Sequence, residues 1–189
     1  MKAKKSLFSS IVGIPVVFAL TTVAIAAIIF FTSQSEKSQN TKGDIFRINL
    51  STGMTSTEVL PGDSFFCSPV VTNDATKEMY VFVAVDTPSL ENESIYEYIV
   101  GDDWVLVENT AERQVYAYGS SAALTTLALA ESTSPMTTQM TMKNISSADY
   151  AGIDDINVMI TGYAVGTAEV SDIDPSSAWL ECKQKYNVQ

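Results

Sequence analysis

Phe46, Ile48 and Leu50 alternate with the polar Arg47 and Asn49, the period-two pattern of a strand with one buried face. Leu60-Pro61-Gly62-Asp63 then reads as a turn. Phe65 to Val71 is apolar but carries Pro69, which predicts an edge strand. Glu78 to Asp86 (EMYVFVAVD) is apolar at almost every position and predicts a central strand covered on both faces. Ile95 to Val100, Trp104 to Glu108 and Arg113 to Tyr118 follow as short strands bounded by Gly, Asp or Asn. Trp104 and Leu106 match Tyr116 and Tyr118 as inward or cross-strand pairs. Ala122 to Ala130 fits a strand or a short helix equally. Met136, Thr138, Met140 and Met142 alternate with Thr137, Gln139 and Thr141. Ile156, Val158 and Ile160 form a β-branched face continuing to Tyr163 and Val165. Asp174-Pro175 starts a helix, with Asp as cap and Pro in the first turn, that ends near Lys185. Many short strands at regular spacing predict an all-β antiparallel sandwich over residues 44–189, closed by one short helix.

Ahead of the strands the pattern changes. Leu7 to Phe31 is a run of 25 residues without a charge, preceded by MKAKK. It is long enough to span a bilayer as a helix, and its basic flank places that end in the cytoplasm. A cleaved signal peptide fits as well: Ala24-Ile25-Ala26 supplies a small-x-small site, with Ile11 to Val23 as the apolar core. Residues 1–31 are thus a signal peptide or a membrane anchor, and residues 32–43 a polar linker or mature tail. Either way the domain lies outside the cytoplasm, secreted or tethered through residues 7–31.

Charge sharpens this picture. Three of the eleven basic residues (Lys2, Lys4, Lys5) precede the apolar run, and all twenty-two acidic residues follow it. So acidic a domain repels phosphate, which argues against nucleic acid as a partner. The chain has no histidine. That removes Ser-His-Asp and Cys-His nucleophilic sites and HExxH zinc proteases, so the expectation is a protein that is not an enzyme and takes no metal or cofactor. In an oxidising compartment Cys67 and Cys182 could form one bridge; the alternative is two buried free thiols.

Several segments, in order, resemble the TasA/camelysin family of exported biofilm-matrix proteins, which carry SipW-type signal peptides. Phe30-Phe31-Thr32-Ser33 is similar to that family's exit from the apolar core, and Asn40 to Leu50 (NTKGDIFRINL) to its first strand. Pro61-Gly62-Asp63 with Val70, Val71 and Asn73 resembles its PGD…V-x-N turn and strand, followed by Tyr80-Val81-Phe82-Val83. Trp104, Tyr116-Ala117-Tyr118, Ile156 to Ala164 and Ala178-Trp179 fall in the family's order. Two departures stand out: Ile29 replaces the small residue expected at cleavage, and Ala164-Val165-Gly166 replaces Ala-Ile-Gln. The resemblance implies a jelly-roll sandwich and fibres in which the N-terminal segment of one subunit completes the sheet of the next. The partner would be a second copy or a related matrix subunit. Ile45, Phe46, Ile48 and Leu50 have the alternation a donated strand needs, and equally that of the domain's own first strand. The peptidase activity associated with camelysin-like proteins does not carry over, because the chain lacks a zinc motif.

Other features have plainer readings. Asp102-Asp103, Asp154-Asp155 and the pair Asp172/Asp174 could offer oxygen ligands to Ca²⁺, but solvated loop acids and a helix cap explain them better. Tyr96, Tyr98, Trp104, Tyr116 and Tyr118 could form a sugar-stacking platform, though sandwich core is the commoner use. Met136, Met140 and Met142 read as a core face rather than a soft-metal site. Asn49, Asn92 and Asn144 begin glycosylation sequons, which matter only in a glycosylating host.

Overall fold

The computed structural model describes residues 27–29, 33–35, 48–53, 57–153 and 157–188. In chain order its strands are β1 (Ala27–Ile29), β2 (Ser33–Ser35), β3 (Ile48–Ser51), β4 (Thr57–Val59), β5 (Ser64–Phe66), β6 (Val70–Asn73) and β7 (Met79–Asp86). They continue with β8 (Ser89–Leu90), β9 (Glu93–Ser94), β10 (Tyr96–Tyr98), β11 (Trp104–Asn109), β12 (Arg113–Tyr118), β13 (Gln139–Met142) and β14 (Met159–Gly166). Helix α1 (Ser147–Ala151) precedes β14, and helix α2 (Pro175–Tyr186) follows it.

The apolar run of β7 places it at the centre of a sheet ordered β11-β12-β7-β14-β2. Alternate side chains of β7 serve two cores. Met79, Val81, Val83 and Val85 face one, and Tyr80, Phe82 and Ala84 the other. A strand buried on both sides has no polar face, which is why its sequence does not alternate. Opposite the first core lies a second layer, in which β10, β13 and β5 pair in that order and β3 pairs with β6. Residues 131–136 join the two parts, because Thr72 bridges Ser132 and the Val71 carbonyl accepts from the Thr133 N–H at 2.9 Å. The methionine row fills the space between the layers: Met136, Met140 and Met142 are buried with Phe65, Ile48 and Leu50. Gly162 of β14 lies under β3, where an added Cβ would come within 3.0 Å of Ile48 Cδ1.

Helix α2 covers the outer face of the five-stranded sheet. Trp179 packs its ring 5.2 Å from Phe82 and 5.4 Å from Tyr163, centroid to centroid. The helix starts as its sequence predicts: Asp174 accepts from the Ser177 N–H at 2.9 Å and Pro175 opens the first turn. It ends at Tyr186, where Asn187 takes the left-handed conformation. The molecule is thus mostly antiparallel β-sheet with a short C-terminal helix.

Several expectations need correction. Phe65 to Val71 is not one edge strand. Pro69 separates β5 from β6, and its carbonyl accepts from the Met136 N–H at 2.9 Å, so a residue without an N–H sits where only an acceptor is needed. Ala122 to Ala130 is neither strand nor helix. Single bridges from Leu124 to Gly119 and from Leu127 to Met79 pin it to the sheet. The strand expected over Ile95 to Val100 shortens to β10, and Ile99 points into solvent. Trp104 and Leu106 pair with Tyr118 and Tyr116, but Leu106 is largely exposed. Ala27–Ile29, the end of the apolar run, is a strand antiparallel to β4 rather than helix. Ser33–Ser35, within the expected linker, runs parallel to β14. Residues 1–26, including Ala24 and Ala26, lie outside the described residues. No helix among the described residues is long and apolar enough to cross a membrane.

Candidate functional site

Two places have the geometry to meet another molecule. The first is the outer edge of the five-stranded sheet. There, among the described residues, β14 pairs with β7 along all eight residues and with β2 along three, Ile160 to Gly162. A sheet edge carries unpaired N–H and C=O groups, so such an edge is a template for a further strand. The segment that covers part of it comes from the start of the chain.

The expected donor residues divide. Ile48 and Leu50 are buried in the core of their own chain, with β3 paired antiparallel to β6. Ile45 and Phe46 lie outside the described residues. Within the described chain, therefore, β3 acts as the domain's own strand, β2 adds to the edge of the five-stranded sheet, and β1 pairs with β4 alone.

The second place is a cleft of about 630 Å³ at one end of the sandwich. Two hairpin ends and β10 frame it. In the β8–β9 hairpin, Glu91 and Asn92 both have positive φ, as a tight two-residue turn with the sheet's twist requires. The β11–β12 hairpin contributes Asn109, Thr110 and Gln114. At the floor, the Tyr98 and Tyr116 rings meet edge to face with centroids 6.1 Å apart. The Tyr98 hydroxyl donates to Gln114 Oε1, the Tyr116 hydroxyl is shared between Gln114 Oε1 at 3.3 Å and the Tyr98 oxygen at 3.4 Å, and Gln114 Nε2 donates to Asn109 Oδ1 at 3.3 Å. Burial pushes both phenols up from their ordinary value, and for Tyr98 the neighbouring Tyr116 adds to the shift. Both therefore stay neutral at any physiological pH. Glu97 stands on the rim, and Lys143 Nζ bonds Glu93 at 3.3 Å.

Of the five aromatic residues expected together, Tyr96, Tyr98 and Tyr116 line this cleft. Trp104 instead packs on Tyr118 at 5.2 Å and donates from Nε1 to the Ser134 carbonyl at 3.2 Å. The amides that complete the cleft, Gln114 and Asn109, had no motif to mark them. Their only signal was a cluster of polar residues at a hairpin end.

The remaining candidates are structural. Cys67 and Cys182 are both free and buried, the second of the two readings open to them. Cys67 belongs to the core between the layers and Cys182 to the core under α2, with the sheet around β7 between the two cores. Burial pushes each thiol up to about 12, so neither is a ready nucleophile. Asp172 accepts from the Asp174 N–H at 3.0 Å, in the turn that caps α2. Asp102 and Asp103 are exposed in the turn before β11, and Asp154-Asp155 lies outside the described residues. Among the described residues, no group of three or more acids and cysteines is placed to hold a metal ion. No protein-family model, no curated protein and no solved structure matches this chain.

Proposed function

We propose that this chain is an exported structural subunit of a cell surface or extracellular matrix, assembling head to tail by N-terminal strand donation. The observation that carries the reading is the edge of β14. Eight residues long, it is capped along three, among the described residues, by a segment from the chain's N-terminal part. If β2 leaves that edge and the same segment of a neighbour takes its place, each subunit both gives and receives a strand. A head-to-tail contact of this kind builds open filaments rather than closed dimers. The jelly-roll arrangement and the TasA/camelysin resemblance belong to the same proposal and rest on the order of the sequence motifs. Buried Ile48 and Leu50 shift the donor from residues 45–50 to the stretch around β1 and β2.

The test is negative-stain electron microscopy of residues 27–189 with a free N-terminus, beside the same chain carrying a bulky N-terminal fusion. The reading expects filaments only from the free form. The double change Gln34→Pro, Ser35→Pro should abolish them. Adjacent N–H groups in a strand point to opposite sides, so one of the two prolines removes a bond to the acceptor edge. Filaments from that variant would defeat strand donation through β2.

A second reading is a monomeric binding module held at the membrane by the part of the apolar run that precedes β1. The cleft floored by Tyr98, Tyr116 and Gln114 favours it. The mass of the native protein separates the two, because a retained anchor fixes the N-terminal segment in the bilayer.

A further inference from the structure

We propose that the cleft between the β8–β9 and β11–β12 hairpins binds a neutral saccharide, a role independent of filament assembly. Its size lies within the range of small-molecule sites. Its floor consists of neutral hydroxyls and amides whose positions are held by each other. By their hydrogen-bonding inventory, Gln114 keeps a second N–H beyond the one on Asn109, Asn109 keeps its own amide N–H groups, and the Tyr116 oxygen keeps its lone pairs, while the Tyr98 oxygen also accepts from Tyr116 at 3.4 Å. Paired donors and acceptors of this kind suit adjacent sugar hydroxyls. The half-buried Tyr98 adds an aromatic surface for the C–H face of a ring. Because Tyr98 and Tyr116 are already packed edge to face, little side-chain freedom is lost on binding.

The competing ligand classes fit worse. The lining carries two carboxylates, Glu93 and Glu97, and its one cation, Lys143, is bonded to Glu93. In a chain of formal charge −11 such a site repels phosphates and uronates. An aliphatic ligand would strip water from amides and phenols without replacing their hydrogen bonds. An extended peptide adding to β10 finds the Tyr96 groups already taken. Ser94 Oγ accepts from the Tyr96 N–H at 3.1 Å and donates to the Tyr96 carbonyl at 3.0 Å, so those strand groups are occupied.

The experiment is saturation-transfer NMR and calorimetric titration of the full chain, solubilised in a phosphocholine detergent that has no sugar headgroup. Maltotriose, cellotriose and triacetylchitotriose are the probes, with trigalacturonate as the anionic comparison. At least one neutral trisaccharide should bind saturably with millimolar or better affinity. Gln114→Ala should weaken it about tenfold, since it removes hydrogen bonds made inside a partly enclosed site. Asn109→Ala, an exposed change on the hairpin end that leaves the core untouched, should weaken it several-fold. Saturable binding by none of the three neutral sugars would overturn the proposal. So would undiminished affinity in Asn109→Ala and Gln114→Ala, or tighter binding of trigalacturonate.

Discussion

Asn73 shows how much one polar side chain can hold. It is fully buried, and its Nδ2 donates to the carbonyls of Lys77 and Leu127, each at 2.9 Å, while Oδ1 accepts from the Ala75 N–H at 2.8 Å. The amide ties the end of β6 to the loop before β7 and to the segment around Leu127. Asn73→Leu would remove three hydrogen bonds to backbone groups, and it should cost about 2–4 kcal/mol. Urea denaturation followed by tryptophan fluorescence should show the lowered midpoint. Glu108 is a second such residue. Its Oε2 accepts from Trp179 Nε1 at 2.6 Å and from Lys183 Nζ at 2.9 Å. Burial pushes the carboxyl up, but the bonds from Trp179 and Lys183 outweigh that and leave it below its ordinary 4.5. A carboxyl lowered by folding stabilises the native state fully above the unfolded value and loses that contribution as pH falls through the folded value. Stability should therefore decline below pH 4.5 more steeply in the native chain than in Glu108→Gln, measured as urea midpoints between about pH 6 and pH 3. Equal slopes would show that other carboxyls carry the acid sensitivity.

At the scale of elements, the bulge in β11 explains how Glu108 reaches the helix. Leu106 pairs with Tyr116 and Glu108 with Val115, so Val107 is an extra residue on that strand. Without it, Glu108 would share the face of Leu106. With it, the carboxylate turns to the side on which α2 lies. The contact between α2 and the sheet is otherwise apolar, through Ala178, Trp179 and Cys182. That packing protects the thiol beneath the helix, and the two-layer core protects Cys67 in the same way. Ellman's reagent should therefore find neither cysteine in the native protein and both after denaturation in urea. Rapid reaction of Cys182 alone would mean that α2 lifts off its sheet under native conditions. The start of α2 and the Leu60 to Asp63 turn were both legible in advance. Their signals are local: an Asp cap followed by Pro, and a Pro-Gly pair in which Gly62 adopts φ +91° while the Asp63 N–H returns to the Leu60 carbonyl at 2.9 Å.

For the whole molecule, the central question is which edges of a layered β-structure remain open. The five-stranded sheet ends in β11 on one side and β2 on the other. β2 is short and parallel, whereas its neighbour β14 is an eight-residue strand. The filament proposal follows from that imbalance. The saccharide proposal follows from a different one, between the dense apolar core and the polar cleft at its end. The two use different surfaces, so loss of filaments through β2 should leave sugar binding intact.

The sequence by itself determined the β-rich class, the central place of Glu78 to Asp86, the buried methionine row and the capped C-terminal helix. Each of these is written in a local period or cap that backbone geometry reads directly. Only the tertiary structure decided that Pro69 lies inside a layer, that residues 122–130 form a pinned loop, and that the two cysteines belong to separate cores. It also decided that Tyr98, Tyr116, Gln114 and Asn109 meet. Those outcomes depend on which strands become neighbours and at what register, and pairing between distant segments leaves no mark in the spacing of residues along either one.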